Sequence, residues 1–541
     1  MSAMNDALIR AVPDMVSPLE PSRWSGAEPR AAAGGENEKI AEPPLEIPIR
    51  DSDPDVGLVK DGENDAVLIG DGNPDVVLVD YEENDPENPL NWSPTRKWLM
   101  VLAISWMGFV SVFATMTITP TAPQILQRFH SHSSFDQTLL VTIWELGEGI
   151  GPFFIAPLSE RFGRLPVFHL GNLLALCCLA ACALSVNIPM LIAFRFLTGC
   201  CLSILTLGPA IVGDMFETEF TGLSMALVMG PQIIADFISA IAGAYVAEAL
   251  GWRWSVWLAA IVLGFFSCLL LAVLRETYAV VILRRKAARL QAERADGKRY
   301  RSKHQARVDA STLLESATRP MQILAKSPIL MLTQGYMAIA YALVSLVIAT
   351  LTPSLESTYP GVFSQGSVGL TFLSFAIGNT IALILYTFTS DRYVTHERKK
   401  KGDAFKPEAR LVHILLAAIS LPVAFLLYGW TLEVHVQYIV PLIGASIAGF
   451  SMTLSTIPVE TYVVDVYEVH GASAIAAGVV IRAFAGAFLP LIGPALYQSI
   501  GQGWGNTVLA LIAAAFIPPL GALMRYGDWF RSKERFGSSG R

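Results

Sequence analysis

Five ionisable side chains stand inside long apolar stretches of this 541-residue chain: Glu145, Glu148, Arg195, Asp236 and Arg482. A charge in such surroundings costs about 2.5–3.5 kcal/mol or more, and it is retained where it faces a polar cavity, a partner or a moving ion. Glu145 and Glu148 are three residues apart and share one face of a helix. At about 1.5 Å of rise per residue, Glu148, Asp236 and Arg482 fall near the middle of their stretches, while Glu145 and Arg195 lie at a common depth roughly 10 Å from one end. Depth alone therefore allows an ion pair between Glu145 and Arg195, and such a pair could equally be structural, fixing helix packing without ever titrating. Asp236 has no partner at its depth that the sequence identifies, so a role in taking up and releasing a proton is favoured for it. Arg482 stays charged at any accessible pH. It could hold a substrate anion or act as counter-charge to a carboxyl that gains and loses a proton.

The elements that position these groups are helices of bilayer length. A membrane core needs about 20 residues of helix. Stretches that meet this lie near 98–120, 138–157, 167–186, 189–212, 222–248 and 254–274, and again near 329–352, 367–389, 410–430, 435–457, 471–497 and 504–525. A long basic segment, 275–327, separates six from six. Within it, 281–294 reads as a basic amphipathic helix, either resting on anionic headgroups or forming a solvated linker. The run Gly147-Glu-Gly149-Ile-Gly151-Pro152 superficially suggests a nucleotide loop, but inside a span such residues allow close helix contact or a local break.

Composition agrees with a chain in lipid. Hydrophobic residues make up 53%, charged residues 16%, and mean hydropathy is +0.47, against roughly 25% charged residues in soluble proteins. Residues 1–93 hold 21 acids and 6 bases, leaving 25 acids and 33 bases in the rest. This acidic tail, rich in Pro and Gly, is expected to be disordered, with no cleaved signal peptide at its start. A weak ten-residue repeat beginning at Asp55, Asp65 and Asp75 runs through it, as compositional drift or a short β-like docking motif. With the N-terminus cytoplasmic, inside segments carry 29 Lys and Arg, and outside loops carry only Arg128 and Arg253, so both termini are expected inside. Nucleic-acid binding is not suggested, since the bases are dispersed between apolar spans. No Gly-x-x-x-x-Gly-Lys-Ser/Thr motif, nucleophile set or metal-ligand spacing is present, which argues against ATP-driven pumping and against an enzyme. The six cysteines lie in apolar segments and read as small buried hydrophobes.

Several motifs occur in a recognisable order. Ala156-Pro-Leu-Ser-Glu160-Arg161-Phe-Gly163-Arg164 resembles the loop signature of the major facilitator superfamily, with Ala156, Glu160 and Leu165 replacing its usual Gly, Asp and final Arg. Arg195-Phe-Leu-Thr-Gly199 is similar to the family's Arg-x-x-x-Gly motif, and Gly213-Asp214 to its acid that engages the loop arginines. Asp85-Pro-Glu-Asn-Pro-Leu-Asn-Trp-Ser93, Gly251-Trp-Arg-Trp254, Glu276-Thr-Tyr278, Pro407-Glu-Ala-Arg-Leu411 and Ser473-Ala-Ile-Ala-Ala477 resemble, more narrowly, the fungal multidrug type of twelve-span drug:proton antiporters. The antiporter motif of the fifth span is present only in altered form, as Ser239-Ala240-Ile-Ala-Gly243-Ala244, with Gly230-Pro231 about two turns earlier.

The expected architecture is an all-α polytopic membrane protein with twelve transmembrane helices in two six-helix bundles. Its parts are a disordered acidic tail (1–93), an N-terminal bundle (94–274), a basic central loop (275–327), a C-terminal bundle (328–530) and a short tail (531–541). The resemblance implies proton coupling at Arg195 and a cytoplasmic gate formed by Glu160, Arg161, Gly163, Arg164 and Asp214. From the buried charges, Glu145, Glu148, Arg195, Asp236 and Arg482 are the expected proton-coupling and substrate-cavity residues. The expected activity is proton-coupled export of a small organic molecule by a monomer in the plasma membrane, or alternatively the vacuolar membrane, with no cofactor beyond the proton gradient. An organic-anion or metabolite carrier is the first alternative, and a transport-inactive membrane sensor of the same fold is the second.

Overall fold

The computed structural model describes residues 57–58, 67–69, 76–82, 84–131, 133–216, 218–293, 299–302, 321–401, 411–467 and 471–532. The first half contains α1 (Pro94–Met116), α2 (Ala122–Arg128), α3 (Ser134–Ile150), α4 (Pro152–Phe162), α5 (Arg164–Ala183), α6 (Ile188–Leu202), α7 (Leu207–Met215), α8 (Thr218–Leu250) and α9 (Trp252–Val273). A short helix, α10 (Ala279–Glu293), opens the connection to the second half. There follow α11 (Pro328–Thr358), α12 (Leu373–Lys401), α13 (Val412–Glu433), α14 (Ile439–Tyr467), α15 (Gly471–Phe488), α16 (Ile492–Ala514) and α17 (Ile517–Ser532).

Local chemistry sets several boundaries. Ser133, Asn187 and Ser327 cap α3, α6 and α11, each side chain accepting a backbone N–H two or three residues into its helix. Gly163 and Gly251 take φ of 99° and 93°, a region where a Cβ is strained, and turn the chain directly from one helix into the next.

Among the described residues ten segments are long and apolar enough to cross a bilayer. Two expected crossings fall outside that number for local reasons. The fourth is broken at Ser203–Thr206 into α6 and α7, each too short to qualify alone. The last two run together in Ala474–Gly527, interrupted where Gly501 adopts φ 80° and ψ 170°. The fold is therefore that of a polytopic α-helical membrane protein, consistent with twelve crossings. Its exposed surface carries large apolar side chains in rows, such as Leu170, Leu173 and Leu174 on α5 and Phe265, Leu269 and Leu271 on α9. A continuous apolar surface of this kind suits lipid rather than water.

Two hydrophobic cores account for most of the buried interior. One draws almost entirely on α1 to α9, and the other on α11 to α17 with its leading turn; only Ala349 and Ala240 cross over. The Gly147 run acts as a packing surface. A Cβ at Gly147 or Gly199 would run into backbone of the facing helix, so α3 and α6 approach at van der Waals distance through paired glycines.

The acidic segment departs from the expected disorder where it is described. Strands β1 (Gly57–Leu58), β2 (Val67–Ile69) and β3 (Val76–Val79) fall on the three copies of the repeat and pair antiparallel in sequence order. The fourth strand, β4 (Arg299–Ser302), lies beyond α10 and pairs with β3 in parallel, Val76 with Arg299 through Val79 with Ser302. Only the third copy of the repeat meets the central connection; the first two extend the sheet on its other side. Helix α10 forms as expected and buries Val280, Val281, Leu283 and Ala287. Its Lys286 and Arg289, however, face acids of the tail rather than headgroups: Lys286 lies 3.1 Å from Glu82 and 2.9 Å from Asp85, and Arg289 2.6 Å from Glu87. Paired charge explains why an acid-rich segment can order here.

Candidate functional site

The buried charges converge between the two halves. Helix α3 brings Glu145 and Glu148 on one face, as their spacing requires. Glu145 is 3% exposed, and its Oε1 accepts a 2.6 Å hydrogen bond from Ser345 of α11, while Oε2 is buried without a hydrogen-bond partner. Helix α15 can pass this close only because position 486 is Gly; a Cβ there would collide with Glu145 Oε2. Glu148 lies within electrostatic reach of Glu145, of Asp236 on α8 and of Arg482 on α15. Arg482 pairs with Glu460 of α14 at 3.6 Å, and its guanidinium carbon lies 5.3 Å from the ring centre of Tyr341. Tyr341 is in electrostatic reach of Glu145, Glu148, Arg482 and Asp236. Glu148, Asp236, Tyr341, Glu460 and Arg482 are all partly exposed.

Arg195 is placed elsewhere. It is 3% exposed inside the first half and donates through Nη2 to the carbonyls of Thr115 at 3.1 Å and Val141 at 3.4 Å. It lines a small internal cavity with Thr115, Trp144, Cys182, Thr198 and Val256. The ion pair with Glu145 allowed by depth is not made. Equal height along two helices does not fix the direction in which each side chain points, and Glu145 faces the second half while Arg195 faces α1.

A second cluster forms where α5 begins. Arg164 grips Asp214 through Nε at 2.7 Å and Nη2 at 3.4 Å, and Thr277 donates to the same carboxylate at 3.0 Å. Glu276 caps α5, accepting the backbone N–H of Arg164 at 3.1 Å and of Leu165 at 3.2 Å. A Cβ at Gly163 would lie 2.5 Å from Glu276 Oε2, so glycine here answers both the positive φ and the close carboxylate. Arg164 also stacks over Tyr278, at 5.1 Å.

Arg161 takes no part in the Asp214 cluster. It is exposed, with its guanidinium 5.7 Å from the Phe162 ring, and only its carbonyl is engaged, by Arg284 at 3.5 Å. The side chain of Glu160 lies outside the described residues. Three members of the first cluster were not among the residues expected from sequence. Glu460 lies just beyond the expected end of the tenth span, and Tyr341 and Ser345 are neutral residues in an apolar helix. Glu276-Thr-Tyr278 stood out as a motif, yet only the structure shows that it closes around Arg164 and Asp214.

Hydrogen bonds tie the halves together near the centre and at the end remote from the acidic segment. Thr142 donates to the Ala487 carbonyl at 3.0 Å, Gln124 to Gln365 at 2.7 Å and Gln498 to Ser134 at 3.4 Å. At the same end Gly369 packs against Ala240 and Ala244 so closely that a Cβ would lie 2.8 Å from the Ala240 carbonyl.

Residues 104–490 match the sequence profile of the Major Facilitator Superfamily. The chain belongs to this family. It is 36% identical over 457 residues to the MFS-type transporter hepF of Aspergillus oryzae, covering 83% of this chain and 93% of that one. It is likewise 36% identical over 469 residues to the efflux pump radE of Floropilus chiversii, with 85% of each covered. Among solved structures it resembles a D-xylose-proton symporter (TM-score 0.57, 16% identity, 79% of this chain and 97% of that chain). It also resembles the human organic anion transporter MFSD10 (TM-score 0.58, 17% identity, 79% and 100%). At that identity the structures speak for the fold alone. This family member is a membrane transporter of small molecules, not an enzyme.

Proposed function

We propose that this chain exports a small organic molecule in exchange for protons, using the cavity between its two halves. The observation that carries the reading is the cluster of Glu148, Asp236, Tyr341, Glu460 and Arg482, contributed by helices of both halves. Glu148 and Glu460 both face Arg482 there, which is paired with Glu460, and Asp236 lies within electrostatic reach of Glu148. Adding a proton to Glu148 or Asp236 removes repulsion between two nearby carboxylates and changes what Arg482 faces. A change of charge at the joint between two rigid bundles is what biases one rocking state over the other.

Closed contacts at Gln124–Gln365 and Gly369 correspond, in this reading, to an outer side shut against the medium, with both termini in the cytoplasm. The charge asymmetry of 29 bases against two supports that orientation. The efflux pump radE, similar over 85% of its length, supports export as the direction. Arg195 is engaged by backbone carbonyls inside the first half, so an anion carrier would have to hold its substrate on Arg482 in competition with Glu460. The plasma membrane is the compartment in which export would serve the cell directly.

The test is an accumulation screen in a transporter-deficient host, with and without an uncoupler, across drugs, organic acids and secondary metabolites. Asp236→Asn should abolish the pH-dependent part of transport while the protein still reaches the membrane. Unchanged coupling in that variant would remove Asp236 from the mechanism.

A further inference from the structure

The acidic segment ahead of α1 is folded against α10, the helix that directly follows Glu276–Tyr278 of the second cluster. Asp85 is 7% exposed, an unusual burial for an acid in so polar a stretch. Its Oδ1 accepts the Glu87 N–H at 2.8 Å, its carbonyl accepts from Asn91 at 3.1 Å, and Trp92 turns back to donate to the Pro86 carbonyl at 3.2 Å. Trp92 itself is buried in the core of the first half, and Lys97 of α1 donates to the Leu90 carbonyl at 2.7 Å. The segment is thus a fixed loop with its far end anchored.

From that loop, Glu82 and Asp85 hold Lys286, and Glu87 holds Arg289 through both oxygens at 2.6 and 2.7 Å. Lys286 and Arg289 are three residues apart, so one face of α10 is covered. Upstream of the loop, β3 pairs with β4, beyond the other end of α10. The helix is therefore bracketed by one segment on both sides. On its other side, α10 leads directly back into Glu276, Thr277 and Tyr278, which hold Arg164, Leu165 and Asp214, and Arg284 reaches the Arg161 carbonyl. Tyr81 completes the link, lying close enough to feel the charges of both Asp85 and Asp214.

We propose that residues 80–82 and 84–92 form a strap that holds the Arg164–Asp214 cluster in place through α10, so that releasing the strap loosens the cluster. The ion pairs are suited to reversible closure, since partly exposed pairs are individually weak and screened by salt. The gating role of Arg164 and Asp214 belongs to the transport reading; the mechanical coupling of strap to cluster stands apart from it and is measured without any substrate.

The test is hydrogen exchange on the purified full-length protein. Arg289→Glu sets two like charges against each other at an exposed position, where the fold is not at stake. It should raise exchange about threefold in peptides covering both 80–92 and 161–167, the second being the loop that Glu276 caps. The charge swap Arg289→Glu with Glu87→Arg should return both to the wild-type rate. Faster exchange in 80–92 with 161–167 unchanged would overturn the coupling, and so would an unaltered rate in both. A failure of the transport reading would instead appear as absent flux with the exchange pattern intact.

Discussion

Arg482 on α15 reaches Glu460 on α14 at 3.6 Å while its guanidinium carbon stands 5.3 Å from the centre of the Tyr341 ring on α11. Three helices of the second half thus hold one positive charge at the surface it presents to Glu148 and Asp236 of the first. The pair keeps this cation oriented but not locked, because both side chains remain partly open. A cation held loosely between an acid of its own half and acids of the other is placed to change partners.

Removing one member of that pair should therefore alter function more than stability. Glu460→Gln is expected to cost about 1 kcal/mol, the discounted value for a partly exposed pair, read as a modest fall in thermal midpoint in detergent. Its effect on transport should be larger, shifting the pH dependence because Arg482 is then free for Glu148. Adding Arg482→Gln to Glu460→Gln should cost less than the two single changes summed. Strict additivity would mean that the 3.6 Å contact carries no coupling.

The glycine seam between α3 and α6 makes a prediction of opposite character. Gly199→Ala places a methyl against the Trp144 carbonyl, and neither backbone can yield cheaply. Overpacking of this kind costs about 1–3 kcal/mol. Gly335→Ala on α11 is the matched control, since nothing lies within 4 Å of its added carbon. That variant should be neutral or gain roughly 0.5–1 kcal/mol from the better helix former. An equal gain in both would show that helix propensity, rather than the seam, governs the result.

These contrasts mark what the sequence could and could not convey. The crossings were legible because length and hydrophobicity are properties of a single helix. Depth was legible too: Glu148, expected near the middle of its span, lies within electrostatic reach of Asp236 and of Arg482. Direction around the helix axis was not, which is why Arg195 looked like a partner for Glu145 and proved to hold carbonyls in its own half. Glu460 was passed over because the expected span stopped at 457, one residue short of Pro458; the helix runs on through that proline to Tyr467. Strand β4 had no signal of its own, since Arg299–Ser302 is polar and its partner lies more than two hundred residues earlier.

The two arginines of the loop signature should separate cleanly. Arg164→Ala leaves Asp214 with only Thr277 and removes the bidentate grip, so Asp214 becomes a largely unpaired carboxylate. Losing one partner of a partly buried, charge-assisted bond costs about 1.5–3 kcal/mol, and protease sensitivity around 160–170 should rise. Arg161→Ala removes an exposed side chain whose contact is a neighbouring ring, so stability should stay within about 0.5 kcal/mol of wild type. If Arg161→Ala proved the more damaging, the assignment of the grip to Arg164 would fail.

Strap integrity should depend on pH only at the extremes. Burial by itself would raise the pKa of Asp85, but the Lys286 hydrogen bond, the Glu87 N–H and the Lys286 charge outweigh it, and the group is held below its ordinary 3.8. A depressed acid adds stability that is present above its unfolded pKa and lost as pH falls through the folded one. For Lys286, burial lowers the pKa, but hydrogen bonds to Asp85 and Glu82 outweigh it and hold the amine above 10.5. Its contribution is complete below 10.5 and fades as pH climbs beyond the folded value. Opening of 80–92, measured by hydrogen exchange corrected for intrinsic rates, should therefore be flat across the neutral range and rise only below the ordinary carboxylate range and, on the alkaline side, above 10.5. Lys286→Gln should raise the acid-side midpoint, since Asp85 loses the partner that depresses it. A wild-type midpoint near neutrality would mean that a group other than Asp85 and Lys286 holds the strap.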